Sequence, residues 1–355
     1  MVIRMNLLIT GGAGFIGANF VNHVIENHEN YKIINLDKLT YAGNVDNLRE
    51  VDGHPNHVFI QGDICDRKLV ERIFEEYQIN HVIHFAAESH VDNSIANPGA
   101  FVETNIMGTF NLLEIARKFW MNGIGIYKLD FEKSRFHHIS TDEVYGTLGA
   151  EGYFTEYTPY APNSPYSASK AASDLLVRSY FHTYGMNVVT TNCSNNFGPK
   201  QHEEKLIPTI IRKALALESI PIYGDGENIR DWLYVLDHCR AIDKIFHEGR
   251  SGETYLIGGH NEKTNIEIAE TICNVLNEEK PLTANEKGIL KYKELIKFVQ
   301  DRPGHDFRYA IDDEKLLREI DFTIEWSFEE GVRETVKSFI KNRELDNLIK
   351  LEDTP

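Results

Sequence analysis

Asn6-Leu-Leu-Ile-Thr10-Gly-Gly-Ala-Gly-Phe-Ile-Gly17 decides the fold. Its first five residues are a short apolar run of the kind that forms a buried strand. Glycines stand at 11, 12, 14 and 17, and Ala18-Asn-Phe-Val-Asn-His-Val-Ile-Glu-Asn27 then reads as a helix. Strand, glycine turn and helix N-terminus in that order suit a dinucleotide pyrophosphate. Glycine lets backbone approach the phosphates, and the helix N-terminus supplies N–H donors and the positive end of its dipole. A lone glycine motif is weak, but this one has a partner. Lys32-Ile-Ile-Asn-Leu-Asp37 is a second strand ending in an acid about 20 residues past Gly17. A carboxylate there accepts from the adenine-ribose 2′-hydroxyl and repels a 2′-phosphate, so NAD is expected over NADP. Lys38, the next residue, pulls weakly the other way.

Further strand–helix units follow. Strands are expected at His57–Ile64, His81–Ala87, Arg135–Ser140 and Asn187–Asn192, and helices at Asp66–Tyr77, at Phe101–Met121 and around Tyr166. This alternation implies an α/β fold with a doubly wound, Rossmann-like parallel sheet. Ligands of such sheets bind outside the carboxyl ends of the strands. Gly11 to Gly17, Asp37, Asp63, Ser89, Thr141 to Glu143 and Asn195-Asn196 all fall there. Past Gly198 the pattern breaks into shorter elements marked by Pro199, Pro208, Pro221 and Tyr223-Gly-Asp-Gly-Glu227. Asp231–Glu248 reads as helix, Glu253–Gly258 as a strand returning to the main sheet, and Thr264–Leu276 and Leu316 onward as helix. The expected division is a cofactor domain of 1–197 plus 232–262, a smaller mixed α/β substrate lobe of 198–231 plus 263–345, and a tail at 346–355.

The chain has 355 residues, and Lys and Arg number 37 against 54 Asp and Glu, for a net charge of −17. That argues against a general nucleic-acid or membrane-surface binder. Cys65, Cys193, Cys239 and Cys273 lack C-x-x-C or zinc spacing, and the 15 histidines show no H-E-x-x-H pattern, so no metal is expected. No apolar run reaches the about 18 residues of a transmembrane helix, and the chain enters its first strand without a signal peptide. A cytoplasmic protein is the expectation.

Tyr166 and Lys170 lie four apart in Tyr166-Ser-Ala-Ser-Lys170, on one face of a helix. A phenol titrates near 10 unperturbed, and a neighbouring ammonium favours the phenolate. The pair is then a proton acceptor for a substrate hydroxyl beside an oxidised nicotinamide. Such pairs recur on ordinary helix faces, so the pair alone does not decide. Thr141-Asp142-Glu143, at the end of a strand, adds two carboxyls. Two adjacent carboxyls can divide the roles of base and acid if their pKa values are pushed apart.

These residues, together with Asp37-Lys-Leu-Thr-Tyr-Ala-Gly-Asn44, Ala86-Ala-Glu-Ser-His-Val-Asp92, Asn192-Cys-Ser-Asn-Asn196, Glu204-Lys-Leu-Ile-Pro208, Pro221-Ile-Tyr-Gly224, Arg230-Asp-Trp-Leu-Tyr-Val235, Gly258-Gly-His-Asn-Glu262 and Asp301-Arg-Pro-Gly-His305, occur in one order. In that order the chain resembles the extended short-chain dehydrogenase/reductase family and, within it, the dTDP-glucose 4,6-dehydratases, over roughly residues 5 to 340. The resemblance implies NAD-dependent 4,6-dehydration of a nucleotide-activated glucose. Thr141, Asp142, Glu143, Tyr166 and Lys170 are its implied catalytic residues, with Glu143 the C5 base and Asp142 the acid at the C6 hydroxyl. Gly11, Gly14, Phe15, Ile16, Gly17, Asp37, Lys38, Thr40, Asp63, Ile64, Ala86, Thr104, Tyr166, Lys170 and Asn196 would line the cofactor. Ser89, Thr141, Asn195, Lys205, Pro221, Tyr223, Arg230, Asn265, Arg302 and His305 would line the nucleotide sugar, with Arg230 and Arg302 on the diphosphate.

Two departures stand out. Asn93 replaces the family's usual Arg, and Lys200-Gln-His-Glu203 replaces an aromatic-containing stretch. The second leaves the choice between dTDP-glucose and UDP-glucose open. A nucleotide-sugar 4-epimerase or decarboxylase on the same fold is the other enzymatic reading, and Asp142-Glu143 argues against it. A non-catalytic binding protein is the third, and the intact Thr, Tyr and Lys argue against that. The resemblance also implies a homodimer packed through 101–121 and 166–184.

Overall fold

The computed structural model describes residues 5–283, 285, 287–301 and 306–352. The first half runs β1 (Met5–Thr10), α1 (Phe15–Asn27), β2 (Tyr31–Asp37), β3 (His57–Gln61), α2 (Arg67–Tyr77), β4 (His81–His84), α3 (Val91–Ala96), α4 (Pro98–Phe101), α5 (Thr109–Trp120), a β5 (Met121–Gly123) and β6 (Ile126–Tyr127) hairpin, β7 (Arg135–Thr141), α6 (Pro165–Tyr184) and β8 (Val188–Cys193). The second half runs β9 (Asn195–Phe197), α7 (Leu206–Leu215), β10 (Ile220–Tyr223), β11 (Ile229–Tyr234), α8 (Val235–Glu248), β12 (Thr254–Ile257), β13 (Glu262–Thr264), α9 (Asn265–Glu279), β14 (Ile296–Val299), α10 (Glu314–Ile320) and α11 (Phe328–Glu352).

Seven parallel strands form the main sheet in the order β12-β8-β7-β4-β1-β2-β3. The chain moves outward from β1 to β3, then returns to β4 on the other side of β1. That reversal opens a crevice above β1 and β4, where such sheets bind ligands. Both faces are covered, so the strands read as continuous apolar runs. On one face Leu7, Ile9 and Ile33 pack with Phe20 and Val24 of α1 and Ile242 and Ile245 of α8. On the other, Leu8, Ile34 and Val82 pack with Val70, Leu112 and Trp120, whose indole N–H donates to the Ile79 carbonyl at 2.8 Å. α6 has clear local causes. Ser164 and Ser167 form a reciprocal capping box, Pro165 begins the helix, and Gly185 at φ +66° ends it in the left-handed region.

The second lobe packs α7, α9 and α11 on a β9-β11-β13 sheet and a parallel β10–β14 pair, around Ile210, Ile211, Ile268, Ile272 and Val332. β12 returns to the main sheet beside β8. Three expectations change. Asp231–Tyr234 is strand, not helix. Trp232 and Tyr234 face the lobe core at strand spacing, and Asp231 accepts the backbone N–H groups of Gly259 and Asn261, both at 2.7 Å. The expected helix at 101–121 is interrupted by a wider π-type turn at Val102–Gly108. There the Asn105 amide accepts from Glu88 N–H at 2.8 Å and donates to the Glu88 carbonyl at 3.0 Å and to Ser169 Oγ at 2.8 Å. The stretch expected as a tail continues α11 as far as Glu352. Among the described residues no helix is long and apolar enough to cross a membrane.

Candidate active site

The carboxyl ends of β1, β2, β4, β7 and β8 surround a cleft of about 310 Å³. Its floor is the glycine turn. A Cβ on Gly17 would sit 2.2 Å from the Gly11 carbonyl oxygen, and one on Gly11, at φ +75°, 2.6 Å from Ala86 N. Only glycine allows so close an approach. α1 starts at this turn with no side-chain cap and no acid in its first turn, so its leading N–H groups face the cleft without a competing carboxylate. This cradle fits a dinucleotide pyrophosphate. Asp37 ends β2 beside it, largely buried. Its carboxylate accepts from Ala13 N–H at 2.9 Å and Leu39 N–H at 2.8 Å, which fixes its orientation and leaves lone pairs for a ribose hydroxyl. Lys38 turns instead to Asp63, at 2.7 Å. That hydrogen bond raises the Lys38 ammonium, and against burial it holds the Asp63 carboxyl below its usual value. A lysine so engaged no longer argues for a 2′-phosphate. Every residue expected to line the cofactor faces this one cleft.

Thr141, Asp142, Glu143, Tyr166 and Lys170 face the same cleft. Thr141 ends β7 and caps the turn that follows, accepting from Glu143 N–H at 3.3 Å. Asp142 is 2% exposed. Burial, then Glu143 and Asp231, raise its carboxyl well above the ordinary range, against the lowering pull of Arg230 and Thr141. That shift favours the protonated, proton-donating form of Asp142, and one of its oxygens lacks a protein partner among the described residues. Tyr166 is also pushed up, first by burial and then by Glu143, Cys193 and Asp142, while a hydrogen bond with Thr141 lowers it. The protein alone thus does not make the phenolate that the Tyr–Lys spacing suggested. Lys170 donates to the Ile139 carbonyl at 2.8 Å, and burial lowers its ammonium. Behind Thr141, Asn192 Nδ2 donates to the Thr141 carbonyl and to Asp174 Oδ2, both at 3.0 Å, and Tyr160 donates to Asp174 Oδ2 at 3.1 Å.

The sugar side is less complete. Ser89, Thr141, Asn195 and Lys205 line the cleft, and Lys205 Nζ donates to the Ser89 carbonyl at 3.2 Å. Pro221, Tyr223, Arg230 and Asn265 do not line it. Pro221 and Tyr223 lie on β10, and Asn265 opens α9 with its N–H on the Asn228 carbonyl. Arg230 sits over the Tyr309 ring at 4.4 Å and donates to the carbonyls of Ile229, Asp306 and Phe307 at 2.7 to 3.2 Å. Its guanidinium braces the segment after 302–305 rather than opening toward the cleft. Arg302 and His305 lie outside the described residues. The divergent stretch is part of the cleft: Gln201 and His202 line it, while Lys200 bonds the Asn47 carbonyl at 2.7 Å and Glu50 at 2.9 Å. Sequence reasoning missed Glu88, Gln201, His202 and Glu204 as cleft residues, although Glu88 and Glu204 stand inside quoted motifs.

Comparison with known proteins follows the same geometry. Residues 8–335 match the family model described as GDP-mannose 4,6 dehydratase. A dTDP-glucose 4,6-dehydratase from Neisseria gonorrhoeae is 52% identical over 341 residues, covering 96% of this chain and 97% of that one. The crystal structure of a dTDP-glucose 4,6-dehydratase from Bacillus anthracis in complex with NAD aligns with a TM-score of 0.82 at 46% identity, covering 96% of this chain and 98% of that one. A Streptomyces venezuelae dTDP-glucose 4,6-dehydratase with NAD and TYD bound aligns with a TM-score of 0.85 at 43% identity, with the same two coverages.

Proposed function

The chain belongs to the dTDP-glucose 4,6-dehydratases, and from that premise we propose that it converts dTDP-glucose to dTDP-4-keto-6-deoxyglucose and water with NAD as its cofactor. The chemistry NAD supplies when bound is a hydride sink for C4, a hydride source for C6, and a positive ring that favours the Tyr166 phenolate. The glycine turn, the first turn of α1 and Asp37 hold it. Tyr166 takes the O4 proton while Thr141 hydrogen-bonds that oxygen, and Lys170 fixes the charge beneath. The resulting 4-ketone acidifies C5. Glu143 removes the C5 proton, and neutral Asp142 donates its proton to the departing C6 hydroxyl, which leaves as water. Glu143 returns its proton to C5. Tyr166 ends with one proton more and Asp142 with one fewer, and exchange with solvent resets both.

The observation that carries this reading is the buried Asp142, its carboxyl pushed up by burial and by Glu143, next to Glu143 and Tyr166 in one cleft. An epimerase needs only the Thr, Tyr and Lys. A dehydratase needs the acid as well. The test is mass spectrometry of dTDP-glucose and UDP-glucose after incubation with protein and NAD. Loss of one water from dTDP-glucose is expected. Loss from UDP-glucose alone moves the substrate and keeps the mechanism, and loss from neither refutes the assignment.

We assign 1–197 plus 232–262 to the cofactor and 198–231 plus 263–345 to the nucleotide sugar, with β9 and β11 crossing that boundary to join the second lobe's sheet. A homodimer through 101–121 and 166–184 is supported by exposed Val102, Met107 and Leu175 on those segments. Light scattering at the mass of one chain would refute it. A cytoplasmic location fits the free thiols of Cys65, Cys193, Cys239 and Cys273.

A further inference from the structure

At the far end of α1 from the cleft, three imidazoles converge on one carboxylate. His23 Nε2 lies 3.0 Å from Asp243 Oδ2, and His28 Nε2 lies 2.8 Å from the same oxygen and 3.0 Å from Oδ1. His247 Nδ1 lies 3.2 Å from Asp243 Oδ1 and 2.7 Å from the Asp243 backbone carbonyl oxygen, the hydrogen bond an ion at that nitrogen displaces. The residues come from separate elements. His23 is on α1, His28 follows its last turn, and Asp243 and His247 are one turn apart on α8. Among the described residues, His28, Asp243 and His247 present ligand atoms within 4.8 Å of one another. None of them takes part in the dehydration, and α1 spans about 20 Å between this cluster and the cleft.

We propose that His28, Asp243 and His247 form a binding site for one divalent ion of the zinc class, with His23 holding the Asp243 carboxylate from α1. Two imidazoles and a carboxylate, with water completing the shell, are the donor set of a borderline-soft ion, not of magnesium or calcium, which take oxygen. Ligands of a tetrahedral zinc, at about 2.0 to 2.1 Å, stand about 3.3 Å apart. His28 and His247 stand 2.8 and 3.2 Å from the carboxylate oxygens, and the three ligand atoms all lie within 4.8 Å of one another, so an ion enters by a shift of side chains. These side chains are 16% to 34% exposed, which leaves an entry path while keeping the carboxylate partly dry. Support around them suits a site as well. Tyr31 hydrogen-bonds His247 Nε2, the nitrogen facing away from Asp243, and orients that ring as outer partners of metal-bound histidines do. The His28, Tyr31 and His247 rings cluster with centroids 4.4 to 6.0 Å apart. A bound ion replaces ring protons, ties α1 to α8 and leaves the chemistry of the cleft alone.

The test uses the full chain without an affinity tag, stripped with a chelator and titrated with zinc chloride by calorimetry. Saturable binding of one zinc per chain is expected, with a raised melting temperature, an unchanged rate of dehydration, and no comparable heat from magnesium chloride. Tyr31→Phe weakens zinc binding by about tenfold. The double variant His28→Gln, His247→Gln loses saturable binding and the gain in melting temperature. Should that variant fold poorly, Asp243→Asn is expected to do the same. No saturable zinc binding by the unaltered chain overturns the site. So does equal stoichiometry in the variants, which puts the ion elsewhere, and so does magnesium binding as tightly as zinc.

Discussion

The two sides of the cleft are made differently. The cofactor side is backbone. Glycines at 11 and 17, the uncapped start of α1 and a carboxylate pinned by two N–H groups are fixed by β1 and β2, which pair directly. The sugar side is side chains and borrowed segments. Lys205 comes from before α7, Asn195 from β9, and Arg230 is spent on the carbonyls of 229, 306 and 307. A site built of backbone close to a parallel sheet is rigid and intolerant of change. A site built of side chains from a separate lobe adapts, and under the proposed function it would set which nucleotide is accepted.

The largest effect is expected where the two sides meet. Tyr166→Phe removes the proton acceptor and lowers kcat about a thousandfold with cofactor occupancy unchanged, as steady-state rates and bound nicotinamide absorbance will report. A loss below tenfold would place the base elsewhere. Next comes the backbone side. Gly17→Ala drives a methyl to 2.2 Å from the Gly11 carbonyl oxygen, and carbonyl backbone does not yield. It costs about 1 to 3 kcal/mol in stability and empties the cofactor site, measured by denaturant unfolding and by NAD titration. The adaptable side answers more mildly. Arg230→Lys keeps the charge but not the fork that braces 306 and 307, so KM for the nucleotide sugar rises about tenfold while kcat falls little. An equal loss in kcat would make Arg230 part of the chemistry rather than of binding.

A smaller effect concerns stability. Asp142 has its folded pKa raised above the unfolded carboxyl value of about 3.9. The folded state then binds more protons than the unfolded one between those two values. Asp142 therefore costs no stability below pH about 3.9 and a growing amount as pH rises toward its folded value. Asp142→Asn should melt higher than the unaltered chain at neutral pH, and the gap should close in acid. A constant gap would mean that the carboxyl is ionised in the fold.

The same contrast explains what could be read from residues alone. Gly11 to Gly17 and Asp37 were legible because their meaning is local: a strand, a turn and a helix start that neighbours in the chain complete. The alternation of strands and helices fixed the sheet for the same reason. Asp231–Tyr234 was misread because its strand character comes from Asn195–Phe197 and Glu262–Thr264, far away in the chain. The wide turn at 102–108 depends on Asn105 reaching Glu88 and Ser169, contacts that no spacing announces. Asp142 and Glu143 were legible as a pair. Their division into acid and base needed burial, which the structure supplies for Asp142.

That division is the central claim, and one measurement tests it most directly. Each of Asp142→Asn and Glu143→Gln is incubated with dTDP-glucose and NAD in heavy water, and the nucleotide sugar is weighed by mass spectrometry. Asp142→Asn should take up one deuterium at C5 without losing water, because the base still works and the acid is gone. Glu143→Gln should do neither. Deuterium uptake by Glu143→Gln, or water loss at the unaltered rate by Asp142→Asn, would contradict the assignment of base and acid.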